Sequence, residues 1–167
     1  LVNIEVISEE NCGSTFFFVL ELQKCQSITD SIRENLYIAQ QNFDFSGRTL
    51  LLAEDNDVNA EFTKALLENV GFDVKLALNG KQAVYSFVSN PSHTYDVILM
   101  DVRMPLMNGY EAAGCIRNSD KADAHSIPII ALTANAAGDD EKLTIQSGMN
   151  AYISKPFETE LLYILLK

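Results

Sequence analysis

The sequence predicts an α/β fold, in which a parallel sheet of five strands lies between two layers of helices. Two near-continuous apolar runs, Thr49–Ala53 and Asp96–Met100, are typical of strands that are buried on both faces. Strand-like and helix-like segments alternate five times between Arg48 and Lys167, which favours a parallel sheet with right-handed crossovers. Hydrophobic residues make up 47% of the 167 residues, so the chain can build the core that such a sheet needs.

The strands and helices can be placed in order along this segment. The strands are predicted at Thr49–Ala53, Asp73–Ala77, Asp96–Met100, Ile127–Leu132 and Ala151–Ser154. The first two helices are predicted with the apolar faces Val58, Phe62, Ala65, Leu66 and Ala83, Val84, Phe87, Val88, the second ending before Pro91. The other helices are predicted at about Gly109–Asn118, between Asp139 and Ser147, and at Glu158–Leu166. For this pattern, the flavodoxin-like (βα)5 three-layer sandwich with strand order 2-1-3-4-5 is the first choice.

Two shorter segments precede this domain. Residues 2–22 are predicted to form a β-hairpin appendage with Gly13 and Ser14 in its turn. In the first strand Val2, Ile4 and Val6 alternate with polar residues, and in the second Phe16, Phe18, Leu20 and Leu22 share one face. Residues 23–47 are polar and are predicted to be a linker with one helix. The residues that suggest this helix are Ile28, Ile32, Leu36 and Ile38. The predicted organisation is therefore a hairpin over 1–22, a linker over 23–47 and a domain over 48–167.

Charge and cysteine content exclude several classes of function. The formal net charge of −11 argues against binding to nucleic acid or to an anionic membrane. Cys12, Cys25 and Cys115 show neither disulfide nor metal spacing, which fits a reducing cytosol. No apolar run approaches the roughly 20 residues of a membrane span, and no signal peptide is recognisable. We expect a cytoplasmic domain, whose parent protein could still carry a membrane anchor.

Chemically useful side chains stand at the ends of four predicted strands. Glu54 and Asp55 follow the first strand, Asp101 the third, Thr133 ends the fourth, and Lys155 follows the fifth. In an open parallel sheet these ends share one edge, so the side chains should converge. Three converging carboxylates repel one another unless a cation neutralises them, and Mg²⁺ is the usual partner of oxygen ligands. Asp101 is then the candidate nucleophile, Asp55 a metal ligand helped by Glu54 directly or through water, and Thr133 and Lys155 candidate ligands of phosphoryl oxygens.

This set resembles the receiver domain of two-component response regulators. The matching stretches are Glu54-Asp55-Asn56, Asp101 with Met104-Pro105 and Asn108-Gly109, Ala131-Leu132-Thr133-Ala134, and Lys155-Pro156-Phe157. No single stretch is decisive, but all of them occur in the family's order and at the expected strand ends between Arg48 and Lys167. Glu54 stands where the family more often has Asp.

The resemblance implies a phosphorelay function with Mg²⁺ as the cofactor. A phosphohistidine, on a histidine kinase or a His-containing phosphotransfer domain, would donate its phosphoryl group to Asp101. The metal ligands would be Glu54, Asp55, Asp101 and the backbone carbonyl of Arg103. The family also implies a cis peptide before Pro156 and a switch in which Thr133 moves toward the phosphoryl group while Tyr152 rotates inward. The domain itself is expected only to promote its own phosphorylation and dephosphorylation.

The first residues are similar to a different module. Asn3–Glu10 followed by Gly13–Phe18 looks like the end of a histidine-kinase ATPase domain, where a Gly-Ser-Thr-Phe stretch leads into the last strand. This resemblance implies a hybrid sensor kinase as the parent. The nucleotide-binding boxes and the phosphorylated-His helix are not among these residues, so we expect no ATP binding. An uncovered hairpin invites pairing, so we expect either packing on the chain's own receiver or, in preference, a homodimer.

Two other functions stay open at this stage. The stretch 55–58 after a buried strand is similar to the catalytic loop of haloacid-dehalogenase-like phosphatases, but that reading leaves Asp101 without a role. A pseudo-receiver that only binds partners, without phosphorylation, is the other alternative, and the presence of Asp101, Thr133 and Lys155 argues against it. Simpler roles also stay open for single residues: Asn56 or Asp57 as a helix N-cap, and Tyr152 as an edge residue of the core.

Overall fold

The structure is a computed structural model that describes residues 4–9, 13–18, 43–134 and 139–167. The chain divides into two compact units, residues 1–35 and 36–167, and each is described here by itself. The predicted helix around Ile28, Ile32, Leu36 and Ile38 lies outside the described residues. Within the described ranges, no helix combines the length and the apolar character that a membrane span requires.

The first unit contains the predicted hairpin, although Gly13 and Ser14 lie in its second strand rather than in the turn. Strands β1 (Ile4–Glu9) and β2 (Gly13–Phe18) pair antiparallel, with Glu9 opposite Gly13 at the turn end. Val6 is 56% and Ile7 64% exposed, and adjacent residues of a strand point to opposite faces. Both faces of β1 therefore expose apolar surface within this unit.

The second unit alternates strands and helices as predicted. Its strands are β3 (Thr49–Ala53), β4 (Asp73–Ala77), β5 (Val97–Asp101), β6 (Ile129–Thr133) and β7 (Ala151–Ser154). Its helices are α1 (Asp57–Asn69), α2 (Gly80–Ser89), α3 (Gly109–Arg117), α4 (Asp139–Gln146) and α5 (Thr159–Leu165). The strands form one parallel sheet in the order β4-β3-β5-β6-β7, so the flavodoxin-like order 2-1-3-4-5 is confirmed.

The central strands are apolar on both faces because each face carries its own core. Alternate residues of β3 point to opposite sides, so Leu51 joins one cluster while Leu50 and Leu52 join the other. The first cluster packs the sheet against α2 and α3, and includes Phe87 and Ile116. The second cluster packs it against α1 and α5, and includes Leu67, Leu162 and Tyr163. The two helix layers follow from this division.

Helix α1 buries a different face from the one that the sequence predicted. Its buried residues are Ala60, Thr63, Leu66 and Leu67. The prediction that Val58 and Phe62 face the core is wrong, since they are 76% and 60% exposed. Helix α1 has two stripes of residues at helical spacing. The stripe with Ala60 and Thr63 is buried, and the stripe with Val58 and Phe62 is exposed. In α2, Ala83 and Phe87 are buried as predicted, whereas Val88 is 46% exposed.

The end of the predicted linker belongs to the second unit and packs into its core. The backbone N–H of Phe45 donates to Val70 O at 2.8 Å, and the Phe45 ring stacks on Phe72 with 4.5 Å between centroids. The Phe43 ring lies 5.4 Å from that of Tyr163. Phe45 is only 4% exposed. Residues 43–47 thus contribute aromatic side chains to the core beside α1 and α5.

Candidate functional site

Parallel pairing brings the predicted site residues to one edge of the sheet. In the register, Ala53 of β3 lies beside Met100 of β5, and Asp101 lies beside Leu132 of β6. Glu54 and Asp55, which follow β3, are therefore level with Asp101 at the end of β5. On the other side, Thr133 of β6 pairs with Ser154 of β7, the residue before Lys155.

Three carboxylates meet at this edge. One oxygen from each of Glu54, Asp55 and Asp101 can be chosen so that all three atoms lie within 4.8 Å of one another. The Glu54 side chain is 1% and the Asp101 side chain 11% exposed, whereas Asp55 is exposed. Two ligands anchored in the protein and one open to solvent fit a hard divalent cation, which prefers carboxylate oxygens and keeps some of its waters.

The ammonium of Lys155 links two of these carboxylates. Its Nζ lies 2.8 Å from Asp101 Oδ2 and also forms an ion pair with Glu54 Oε2. Burial lowers the pKa of Lys155, but hydrogen bonds and charges from Asp101 and Glu54 more than offset this, so the net shift is upward. The Lys155 N–H donates to Thr133 O at 2.7 Å, and the Lys155–Pro156 peptide is cis, as the resemblance implied.

The loop after β5 holds Asp101 from its other side. The backbone N–H of Arg103 donates to Asp101 Oδ1 at 3.1 Å. Gly109 N–H donates to Val102 O at 3.0 Å, and a Cβ on Gly109 would lie 3.0 Å from Val102 Cα and closer still to Asp101 O. Only glycine fits so close to this backbone. Asn108 and Glu111 then start α3 with reciprocal side-chain caps, so the Asn108-Gly109 pair has a structural cause.

Glu54 has two further partners at the start of α1. Its Oε1 accepts from the backbone N–H of Asn56 at 3.4 Å and from Asn59 Nδ2 at 3.2 Å. Asn56 is also the N-cap of α1, because its side chain accepts a hydrogen bond from the Asn59 N–H at 3.0 Å. This confirms the prediction that Asn56 can serve as a helix N-cap. The contact of Asn59 with Glu54 was not predicted. Its only sequence signal is an Asn three residues after a capping Asn.

The residues of the implied switch lie on β6 and β7. Thr133 is 2% exposed at the end of β6. Tyr152 is partly buried on β7 and packs against the first core cluster, which lies between the sheet and helices α2 and α3. This position is expected for a residue at the edge of the core. The loop residues 135–138, which connect β6 to α4, lie outside the described residues. The switch therefore stays a prediction.

Comparison with known proteins now decides the family. A model of the response regulator receiver domain matches residues 50–167. The chain belongs to this family. The receiver domain of a sensor histidine kinase from Pseudomonas aeruginosa, described with a magnesium ion in its active-site cleft, is 42% identical with a TM-score of 0.65, over 72% of this chain and 95% of that one.

Another solved structure contains a receiver with its partner. It is the complex of a Saccharomyces cerevisiae histidine phosphotransfer signalling protein with the receiver domain of its response regulator. The match is 29% identical with a TM-score of 0.62, over 71% of this chain and 85% of that one.

Two curated relatives are named as hybrid kinases. Hybrid signal transduction histidine kinase I of Dictyostelium discoideum is 43% identical over 116 residues, which cover 68% of this chain and 7% of that protein. Hybrid signal transduction histidine kinase K of the same organism is 33% identical over 166 residues, covering 95% of this chain and 13% of that protein. This chain thus spans a small part of the relatives it matches. It is a receiver domain of two-component phosphorelay signalling rather than a haloacid-dehalogenase-like phosphatase.

Proposed function

We propose that Asp101 is the phosphoacceptor of this receiver domain and that its donor is a phosphohistidine. The observation that carries the proposal is the position of the Asp101 carboxylate. It lies close to two other carboxylates, with which it suits a divalent cation, and 2.8 Å from the ammonium of Lys155. Phosphoryl transfer needs little more than such positioning and charge stabilisation.

The proposed metal ligands are Glu54, Asp55, Asp101 and the backbone carbonyl of Arg103. The cluster of carboxylate oxygens supports the first three, and the hydrogen bond from the Arg103 N–H to Asp101 supports the proximity of that peptide to the site. Bound Mg²⁺ would supply positive charge to the phosphoryl oxygens. Thr133 and Lys155 are proposed to bind the other phosphoryl oxygens through their hydroxyl and ammonium groups.

The proposed reaction is a direct phosphoryl transfer. A carboxylate oxygen of Asp101 attacks phosphorus, an O–P bond forms, and the P–N bond to the donor imidazole breaks. The electron pair of that bond returns to the imidazole nitrogen. Lys155, which holds Asp101 through Oδ2, neutralises part of the charge on the transferred group.

The partner is proposed to dock beside α1. The exposed Val58 and Phe62 lie on the helix that starts directly after the acidic pair, and Leu106, 75% exposed, follows Asp101 in its loop. Apolar surface next to the phosphorylation site suits a partner that presents its histidine on a helical face, such as a His-containing phosphotransfer domain. Phe62→Ala should slow transfer from a phosphorylated phosphotransfer domain and leave the rate with acetyl phosphate unchanged. Equal slowing with both donors would refute this docking site.

The surrounding protein is proposed to be a cytoplasmic part of a hybrid histidine kinase, with its ATPase domain ending in the hairpin over 1–22 and a linker over 23–47. The similarity to hybrid kinase K extends over 95% of this chain, which supports the proposal. The exposed apolar residues of β1 support a second proposal, a homodimer through the hairpin.

Mapping of the phosphorylated residue tests the central proposal. The full chain is incubated with Mg²⁺ and acetyl phosphate, phosphoaspartate is reduced with borohydride to homoserine, and the peptides are sequenced by mass spectrometry. We expect homoserine at position 101 alone. Homoserine at position 55, or none at all with the chain folded, would contradict the proposal.

A further inference from the structure

The start of α1 differs from the starts of α2 and α3 in a way that concerns the acidic site. All three helices have an Asn as N-cap: Asn56, Asn79 and Asn108. In α2 and α3 the residue three positions later reaches back to a backbone N–H. Gln82 Oε1 accepts from Leu78 N–H at 2.9 Å, and Glu111 Oε2 accepts from Asn108 N–H at 3.0 Å.

In α1 the acceptor for the backbone N–H of the N-cap is Glu54, which lies outside the helix. Asn59 occupies the corresponding third position, but its amide donates to Glu54 Oε1 at 3.2 Å. The N–H of the N-cap, Asn56, points to the same Glu54 oxygen at 3.4 Å. Glu54 thus takes the place that the side chain of Gln82 or Glu111 has in the other helices, and Asn59 becomes a donor to it.

We propose that Asn59 is a positioning residue of the phosphorylation site, which holds the Glu54 carboxylate in the orientation that a divalent cation needs. This inference rests on the proposed function, because it takes Glu54 to be a metal ligand. Glu54 Oε2 is held by Lys155 on one side, and Oε1 is held by Asn59 on the other. Glutamate has one more rotatable bond than aspartate, so its carboxylate needs this second restraint to keep one orientation.

The residue type at position 59 suits this role. An acidic side chain, such as the Glu111 of α3, would add a fourth carboxylate beside Glu54, Asp55 and Asp101 and repel them. A lysine would repel the incoming cation. A neutral amide donates a hydrogen bond to Glu54 and leaves the charge of the site unchanged. Outer hydrogen bonds of this kind typically orient metal ligands.

Asn59 is also suited to a clean experiment. It is exposed, and its backbone N–H, which binds the side chain of Asn56, is retained when the side chain is truncated. Asn59→Ala therefore removes the contact with Glu54 and leaves the N-cap of α1 in place. Glu61→Gln is the matched control, because Glu61 is exposed on the same helix and has no contact with the site among the described residues.

The test measures metal affinity rather than phosphorylation. Mn²⁺ is titrated into the full chain, and free Mn²⁺ is counted by electron paramagnetic resonance. We expect Asn59→Ala to weaken binding by about tenfold and Glu61→Gln to change it by less than about twofold. In a Glu54→Ala background, Asn59→Ala should change the affinity by less than about twofold, because its action goes through Glu54. The metal-free thermal midpoint of Asn59→Ala should lie within about 5 °C of that of the native chain, which is the cost of one hydrogen bond.

The outcomes separate a failure of the positioning role of Asn59 from a failure of the proposed metal site. If the native chain binds Mn²⁺ and Asn59→Ala binds it equally well, the positioning role is overturned and the metal site stands. A tenfold loss that persists in the Glu54→Ala background would also overturn it, since Asn59 would then act elsewhere. If the native chain fails to bind Mn²⁺, the proposed metal site fails and this inference fails with it.

Discussion

We propose that the residues at the acidic edge divide into metal ligands and ligands of the phosphoryl group. Asp55→Ala removes a proposed oxygen ligand and should abolish most Mg²⁺ binding. Lys155→Ala and Thr133→Ala should retain binding, because neither side chain is a proposed metal ligand. The Lys155 ammonium pairs with Glu54 and Asp101 and would compete with a cation for them. Isothermal titration of Mg²⁺ into the three variants checks this division. Equal affinities for Asp55→Ala and the native chain would contradict it.

The buried side chain of Tyr163 should make the free energy of unfolding depend on pH in the alkaline range. Burial raises its pKa to about 12, and its hydroxyl donates to Leu66 O at 2.8 Å. Above the ordinary pKa of about 10 the unfolded chain loses this proton while the folded chain keeps it, so the free energy of unfolding falls as pH rises. The loss between pH 10 and pH 12 should reach about 2 kcal/mol from this group.

Two phenylalanine variants separate this contribution from that of the other tyrosines. Tyr163→Phe should cost about 1 kcal/mol at neutral pH through the lost hydrogen bond, and should then lose less stability above pH 10. Tyr85→Phe is the control, because Tyr85 is 73% exposed. Urea unfolding at several pH values measures both. The same alkaline loss in Tyr163→Phe as in the native chain would contradict the assignment.

Some residues of the site could be predicted from the sequence and others could not. Glu54, Asp55, Asp101 and Lys155 follow apolar strands, and parallel strands end at a common edge, so their meeting follows from topology. Asn59 reaches Glu54 through a side-chain orientation at the start of a helix. The only sequence signal, an Asn three residues after a capping Asn, does not specify this contact, so only the structure shows it.

At the scale of elements, β-strands were predicted more reliably than helix faces. Strands β3, β5 and β6 are buried along almost their whole length, so a continuous apolar run marks them. Helix α1 carries two apolar stripes, and periodicity alone gave no reason to choose Ala60 and Thr63 over Val58 and Phe62. Exposed apolar residues near the site were therefore mistaken for core.

The face expected to reorganise on phosphorylation is the one built from α4, β7 and α5. Thr133 and Tyr152 lie on the neighbouring strands β6 and β7, and Thr133 is adjacent in the sheet to the strand that ends in Asp101. Hydrogen exchange, with and without beryllofluoride as a mimic of the phosphoryl group, should differ most over residues 133–155. The same comparison for Asp101→Asn is the control and should show no difference. Unchanged exchange over 133–155 in the native chain would leave the switch without support.

At the scale of the whole molecule, the hairpin is expected to determine the assembly state. A two-stranded hairpin is marginally stable alone, and Val6 and Ile7 expose apolar surface. Pairing of two copies would cover this surface and satisfy two strand edges at once. Light scattering should give a dimer for the full chain and a monomer for a truncation that starts at Phe43, which keeps the aromatic residues packed on the receiver. Two monomers at high concentration would contradict the dimer.

Intact mass after phosphorylation tests most directly the claim that this receiver accepts its phosphoryl group on Asp101. The native chain and Asp101→Asn are incubated with acetyl phosphate, each with Mg²⁺ and with excess chelator, and their masses are compared. The native chain should gain one phosphoryl group with Mg²⁺ and little without it, because the three carboxylates need a cation beside them. Asp101→Asn, which keeps the shape of the side chain, should gain none. A phosphoryl group on Asp101→Asn, or none on the folded native chain with Mg²⁺, would contradict the account.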